Sequence, residues 1–190
     1  IIKSEVDSGL TLLYVGYDKE LLGVIAMRDT MRENAAQTLA KLRKLGVKEL
    51  IMLTGDVQSK ADQVASELGI DRVYANCLPT DKAGIIEQLK AEGKKVAFVG
   101  DGINDAPSLT KAHVGISMQK GADIAKATAD ISLLKDDIGS VAVAKDVANK
   151  TMRLINTNFN ATVGINSLIL AGATFGLFNP IATAVLHNGT

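Results

Sequence analysis

Short apolar runs alternate with helically spaced apolar positions along most of the chain. Leu12–Tyr17 and Leu22–Met27 flank the polar Asp18–Glu20, a pattern that predicts two short strands joined by a turn. Between Arg32 and Leu45 the apolar residues Ala35, Ala36, Leu39, Leu42 and Leu45 recur at helical spacing, and Gly46 supplies the stop. Leu50–Leu53 reads as a strand, Ser59–Leu68 as a helix stopped by Gly69, Val73–Ala75 as a brief strand, and Asp81–Ala91 as a helix closed by Glu92-Gly93. Val96–Val99 is a buried strand and Ala106–Ala112 opens another helix; Val114–Ile116, Ile124–Ala127 and Ile131–Leu134 continue the alternation. Repeated β-α-β units with short connections predict an α/β fold around one doubly wound parallel sheet.

The pattern changes near Ser140. Ser140–Arg153 is a charged helix carrying Lys145, Asp146, Lys150 and Arg153, and no Lys, Arg, Asp or Glu follows Arg153. Ala161–Phe178 approaches the roughly 20 residues of a membrane crossing. Asn179-Pro180 then reads as a turn and Ile181–Leu186 as the start of a second span. Gly172 and Gly176 stand at a spacing that suits helix packing in lipid. Cationic residues before the first span put residues 1–153 on the cytosolic side of a lipid bilayer. A buried helical hairpin is the alternative reading of this tail.

Charge and composition narrow the partners. The 21 Lys+Arg and 21 Asp+Glu cancel, and aromatics make up only 4% with no Trp, which argues against a nucleic-acid partner. The lone Cys77 excludes an internal disulfide and reads as a small core residue. Ile1–Gly9 is polar and charged, unlike a secretory signal. The chain opens without Met and stops within an apolar run, so a piece of a longer protein is expected.

Two loops carry chemistry. Thr54-Gly55-Asp56 follows the Leu50–Leu53 strand, and Gly100-Asp101-Gly102-Ile103-Asn104-Asp105 follows Val96–Val99. In an open α/β sheet, ligands bind beyond the carboxyl ends of the strands. Glycines such as Gly55 and Gly102 let backbone approach an oxyanion, and Asp101 with Asp105 offers the hard oxygen donors that Mg²⁺ takes. Thr54 adds a hydroxyl and Lys82 a positive charge. Together they amount to a phosphoryl-transfer site without its nucleophile.

The run Gly100–Asp105 with Ala106-Pro107 resembles the hinge signature of P-type cation-transporting ATPases, members of the haloacid dehalogenase superfamily. Asp29-Thr30-Met31-Arg32, Met52–Asp56, Leu78-Pro79 with Lys82, Ala112–Ile116 and Ala129-Asp130-Ile131 follow in that family's order. The resemblance implies a haloacid-dehalogenase-like sheet followed by membrane helices. It also implies Mg²⁺ on Asp101 with Asp105 beside it, phosphoryl oxygens held by Thr54 and Lys82, and Asn104 bonding in the same pocket. Asp56 and Asp29 would organise the hinge and the docking of a nucleotide domain; helix N-terminal charge pairing is the alternative for Asp29 and Arg32. The implied order places a nucleotide-domain junction at 1–27, the C-terminal part of the phosphorylation domain at 28–139, a linker helix and first span at 140–178, and the start of a second span at 179–190.

The family's phosphorylated aspartate belongs to an Asp-Lys-Thr-Gly-Thr motif, which this chain lacks. The implied activity is ATP hydrolysis through an aspartyl phosphate, coupled to export of a metal cation, with the chain alone inactive. The tail resembles the heavy-metal, class IB branch, where Ile155–Asn160 introduces the first of two last spans. Asn166 and His187 are then the polar candidates for the ion path. Zinc, cadmium, copper, cobalt, iron and manganese all stay open. A soluble haloacid-dehalogenase-type phosphatase is the competing reading; the uncharged tail and the lack of an Asp-x-Asp motif in Ile1–Met27 count against it.

Overall fold

The computed structural model describes residues 11–27, 31–32, 34–101, 103–121, 123–177 and 179–188. Strands β1 (Thr11–Tyr17) and β2 (Glu20–Met27) pair antiparallel, with an irregularity at Val15/Gly16. Their two-residue turn holds Asp18 and Lys19 at φ 43° and 70°, the left-handed geometry that matches the twist of a hairpin.

The α/β part follows in the expected order. Helix α1 (Ala35–Lys44) leads to β3 (Ile51–Leu53), α2 (Gln58–Leu68), β4 (Arg72–Tyr74) and α3 (Pro79–Ala91). Strand β5 (Ala97–Gly100) runs through a 3-10 turn at Ile103–Asp105 into α4 (Ala106–Lys111). Next come β6 (Val114–Ser117), α5 (Asp123–Thr128) and β7 (Ile131–Ser132).

Local chemistry sets the ends. Pro79 opens α3, where its missing N–H costs nothing, and Asp81 at the third position accepts the Leu78 N–H at 2.8 Å. Gly69 ends α2 at φ 66°, a left-handed cap that a side chain would strain.

All of β3–β7 pair parallel, but not in the single sheet that the alternation predicts. Among the described residues β3 pairs only with β4, while β5, β6 and β7 form a separate three-stranded sheet. Hydropathy marks which segments are strands and is silent on which edges meet, so this break has no signal in the pattern.

Leu42, Ile116, Met118, Leu133, Val141 and Ala142 form a core cluster that joins α1, β6 and the first turn of α6 (Gly139–Thr174). Each large apolar side chain so buried contributes about 1.5–3 kcal/mol. Cys77 is only half-buried, not a core residue; its thiol donates to the Tyr74 carbonyl at 3.3 Å.

Contacts divide the chain into Ile1–Ala142 and Val143–Thr190. Helix α6 runs unbroken for 36 residues, from the charged segment into the uncharged tail, and α7 (Pro180–Asn188) follows a turn in which Gly176 has φ 71°. Asn179 caps α7 by accepting the Ala182 N–H at 2.7 Å. Among the described residues no helix is long and apolar enough to cross a membrane. Helix α6 ends at Thr174, before the apolar Phe175 and Leu177 are counted in, and Asn156, Asn158, Asn160 and Asn166 dilute what remains.

Candidate active site

Both chemical loops leave the carboxyl ends of parallel strands: Thr54 directly after β3 and Asp101 directly after β5. At the second loop, Gly100 is required by space. A Cβ there would lie 2.8 Å from the Asp105 Cβ and 2.9 Å from both the Asp105 Oδ2 and the Phe98 ring. That close approach lets Asp105 fold back over the strand end, where its Oδ2 accepts the Asp101 N–H at 3.3 Å. Asp105 is buried, and Lys82 of α3 closes on its Oδ1 at 2.9 Å. The Asp101 side chain is exposed, and so is Asn104 on the 3-10 turn.

The first loop is closed on itself. The Asp56 N–H donates to the Thr54 hydroxyl at 3.1 Å, and that hydroxyl donates to the Asp56 Oδ2 at 3.0 Å. Lys60, one helical turn on, reaches the Asp56 Oδ1 at 3.2 Å. The Thr54 hydrogen bond foremost holds the Asp56 carboxyl below the usual range; burial opposes it, and Lys60 adds to the lowering. So Thr54, expected on phosphoryl oxygens, here orders its own turn. Gly55 is not sterically demanded, since a Cβ would meet the Cys77 carbonyl at an ordinary 3.5 Å.

The two loops are joined through the start of α3. Cys77 donates its N–H to the Thr54 carbonyl at 2.9 Å, and Asn76 donates to the Asp56 carbonyl at 2.8 Å. Burial pushes the Cys77 thiol up, with a smaller upward push from Asp81. Thr54, Cys77, Lys82, Asp105 and the Asp101 backbone thus form one continuous structure across three elements.

Asp29 and Gly102 lie outside the described residues, as does the His187 side chain. Asn166 is half-buried in the second unit, where it lines a cavity of about 470 Å³ with Val163, Ser167, Ile169, Leu170 and Thr183. The Arg32 guanidinium bonds Asp136, 104 residues on, at the carbonyl (2.9 Å) and Oδ1 (3.2 Å). Sequence reasoning missed Lys60, although its spacing of four from Asp56 is a helical pairing signal. It also missed Lys120, whose partner Asp136 is distant in sequence.

Comparison with known proteins gives this geometry a context. A family model described as haloacid dehalogenase-like hydrolase matches residues 2–113, and a second with the same description matches residues 83–144. A manganese-exporting P-type ATPase of Mycobacterium leprae (strain TN) and a zinc-exporting P-type ATPase of Mycobacterium marinum (strain ATCC BAA-535 / M) are each 40% identical over 181 residues. Each match takes in 95% of this chain, and the chain spans only a quarter (25%) of either relative. The crystal structure of a zinc-transporting PIB-type ATPase in the E2.Pi state superposes with a TM-score of 0.83 at 34% identity, over 99% of this chain and 31% of that one. A 3-deoxy-D-manno-octulosonate 8-phosphate phosphatase from Moraxella catarrhalis, 18% identical with a TM-score of 0.56 over 78% of this chain and 84% of that one, shares the fold alone.

Proposed function

We propose, because the chain belongs to the haloacid dehalogenase-like hydrolase family, that it performs the metal-binding half of a phosphoryl-transfer reaction. In this reading residues 28–139 are the C-terminal part of the phosphorylation domain of a metal-exporting P-type ATPase. The observation that carries it is the buried Asp105 carboxylate, gripped by Lys82 at 2.9 Å and by the Asp101 N–H at the end of β5. An ammonium has three donors, so Lys82 keeps hydrogens for phosphoryl oxygens while it holds Asp105. Asp105 in turn fixes the Asp101 backbone, while the Asp101 side chain stays exposed. Thr54 would add a hydroxyl once its bond to Asp56 opens, Asn104, Gly55 and Gly102 would serve the same pocket, and Asp56 and Asp29 the hinge.

Asp101 and Asp105 suit Mg²⁺ as hard oxygen donors. Among the described residues no group of three or more His, Cys, Asp and Glu could hold a metal ion alone, which suits an ion that keeps waters and substrate phosphate in its shell. When bound, Mg²⁺ would neutralise charge on the transferring phosphoryl group of ATP. The phosphorylated aspartate would come from a part of the protein beyond this chain.

The cargo in this reading is a divalent transition-metal cation, in keeping with the relatives named for manganese and zinc export. Asn166 and His187 would line its path, and the whole protein would sit in a lipid bilayer with residues 1–153 on the cytosolic side. Labelled ATP with Mg²⁺ tests the proposal. The isolated chain should retain no label, whereas the longer protein should form an acid-stable phosphoenzyme that Asp101→Asn abolishes. Thr54→Ala should slow the reaction roughly 10²–10³-fold, by analogy with loss of one oxyanion donor. Label on the isolated chain, or full activity in Asp101→Asn, would overturn the assignment.

A further inference from the structure

The backbone of Asp101 is held from a second side by a turn that the phosphoryl-transfer reading does not use. Residues Met118–Gly121 form this turn, closed by the Gly121 N–H on the Met118 carbonyl at 3.0 Å. Met118 also donates its N–H to the Gly100 carbonyl at 3.1 Å. Gly121 is buried directly against the loop, and a Cβ there would lie 3.2 Å from the Asp101 carbonyl oxygen and 3.5 Å from its Cα. No side chain separates the two backbones, so a displacement of the turn displaces Asp101.

The turn is itself tethered at a distance. Lys120, its corner residue, reaches the Asp136 Oδ2 at 3.1 Å. The other oxygen of that carboxylate and its main-chain carbonyl are held by Arg32. The neighbouring Asp137 accepts from the Gly139 N–H at 2.8 Å and from the Asn34 side chain, so it caps the start of α6. Arg32 foremost, then Lys120, hold the Asp136 carboxyl below the usual range, which keeps it charged and able to grip both cations.

We propose that Lys120, anchored by Asp136, is a positioning residue for Asp101, acting through the Gly121 turn to set where the Asp101 carboxylate stands. The proposal rests on Asp101 being the Mg²⁺ residue of the site. It also ties that residue to the segment before α1 and to the root of α6 through one carboxylate. Coupling of this kind requires contiguous packed groups, and each link here is a direct contact.

The test uses the 190-residue chain with Lys120→Met, Lys120→Arg and the charge swap Lys120→Glu with Asp136→Lys. Amide hydrogen exchange at Asp101, measured without metal, reads the positioning alone. Lys120→Met should speed exchange about two- to fivefold, the range expected for loss of one exposed ion pair. Lys120→Arg should restore the wild-type rate with the unfolding midpoint near wild type in both single variants, whereas the swap should recover less, because a lysine at position 136 also loses the Arg32 pair. An unchanged Asp101 exchange rate in Lys120→Met, or a loss that arginine does not rescue, would overturn the proposal. Titration with MgCl₂, followed by the Asp101 amide signal, reads the underlying assignment separately. No response in the wild-type chain would count against Mg²⁺ at Asp101, and the exchange result would still decide the role of Lys120.

Discussion

Replacing Lys82 by methionine keeps most of the side-chain stem and removes the ammonium beside Asp105. The two groups are 2.9 Å apart, and their side chains are only 20% and 11% exposed. The variant therefore takes the ammonium away from a largely buried carboxylate, which costs about 2–3 kcal/mol. Lys60 with Asp56 is a built-in control: a similar pair at 3.2 Å, with side chains 28% and 50% exposed. Water screens that pair, so Lys60→Met should cost no more than about 0.5 kcal/mol. Urea unfolding at neutral pH, with a common slope for all variants, measures both. Adding Asp105→Asn to Lys82→Met should recover part of the loss, because the carboxylate charge that faced the ammonium is then removed as well. If Lys82→Met costs no more than Lys60→Met, burial of the Lys82–Asp105 pair is not what holds the loop, and the electrostatic account of the site fails.

Three further outcomes follow from packing and protonation. Among the described residues the fully buried Ser108 hydroxyl of α4 has no hydrogen-bond partner, so Ser108→Ala should raise the unfolding free energy by about 1 kcal/mol in the same assay. Gly115→Ala should do the reverse by about 2–3 kcal/mol, since its Cβ would lie 2.6 Å from the Leu109 carbonyl oxygen, a backbone atom of α4 that cannot turn aside. His113 accepts the Val96 N–H at Nδ1, and desolvation, then Lys90 and Lys95, lower its pKa below 6.5. A histidine depressed in the folded state binds protons more readily when unfolded. Its contribution is therefore present above the unfolded pKa and falls as pH drops from 6.5 through the folded value. An NMR titration of His113 should give a midpoint under 6.5, and His113→Asn should flatten the pH dependence of stability in that window.

Strands and helices were legible because each is a local matter. Apolar spacing drew α1, α2 and β3, and Pro79 and Gly69 punctuated helices for reasons of backbone geometry alone. The glycine-aspartate loop stood out in the sequence because it follows a strand, where open α/β sheets bind ligands. How those groups meet was not. Lys82 and Asp105 are 23 residues apart, and Arg32 and Asp136 are 104 apart; spacing along a chain carries no information about such contacts. Strand pairing is likewise decided by which edges pack together, so one sheet read from the pattern became two. The tail shows the same division. The sequence by itself determined that charge stops at Arg153, and it supplied an apolar run from Ala161 to Phe178. Only the folded chain decided where the helix within that run ends: α6 stops at Thr174, and Gly176 turns with φ 71° ahead of α7. A hydropathy window counts residues regardless of where a helix stops, whereas hydrogen-bonded backbone must end where the chain turns.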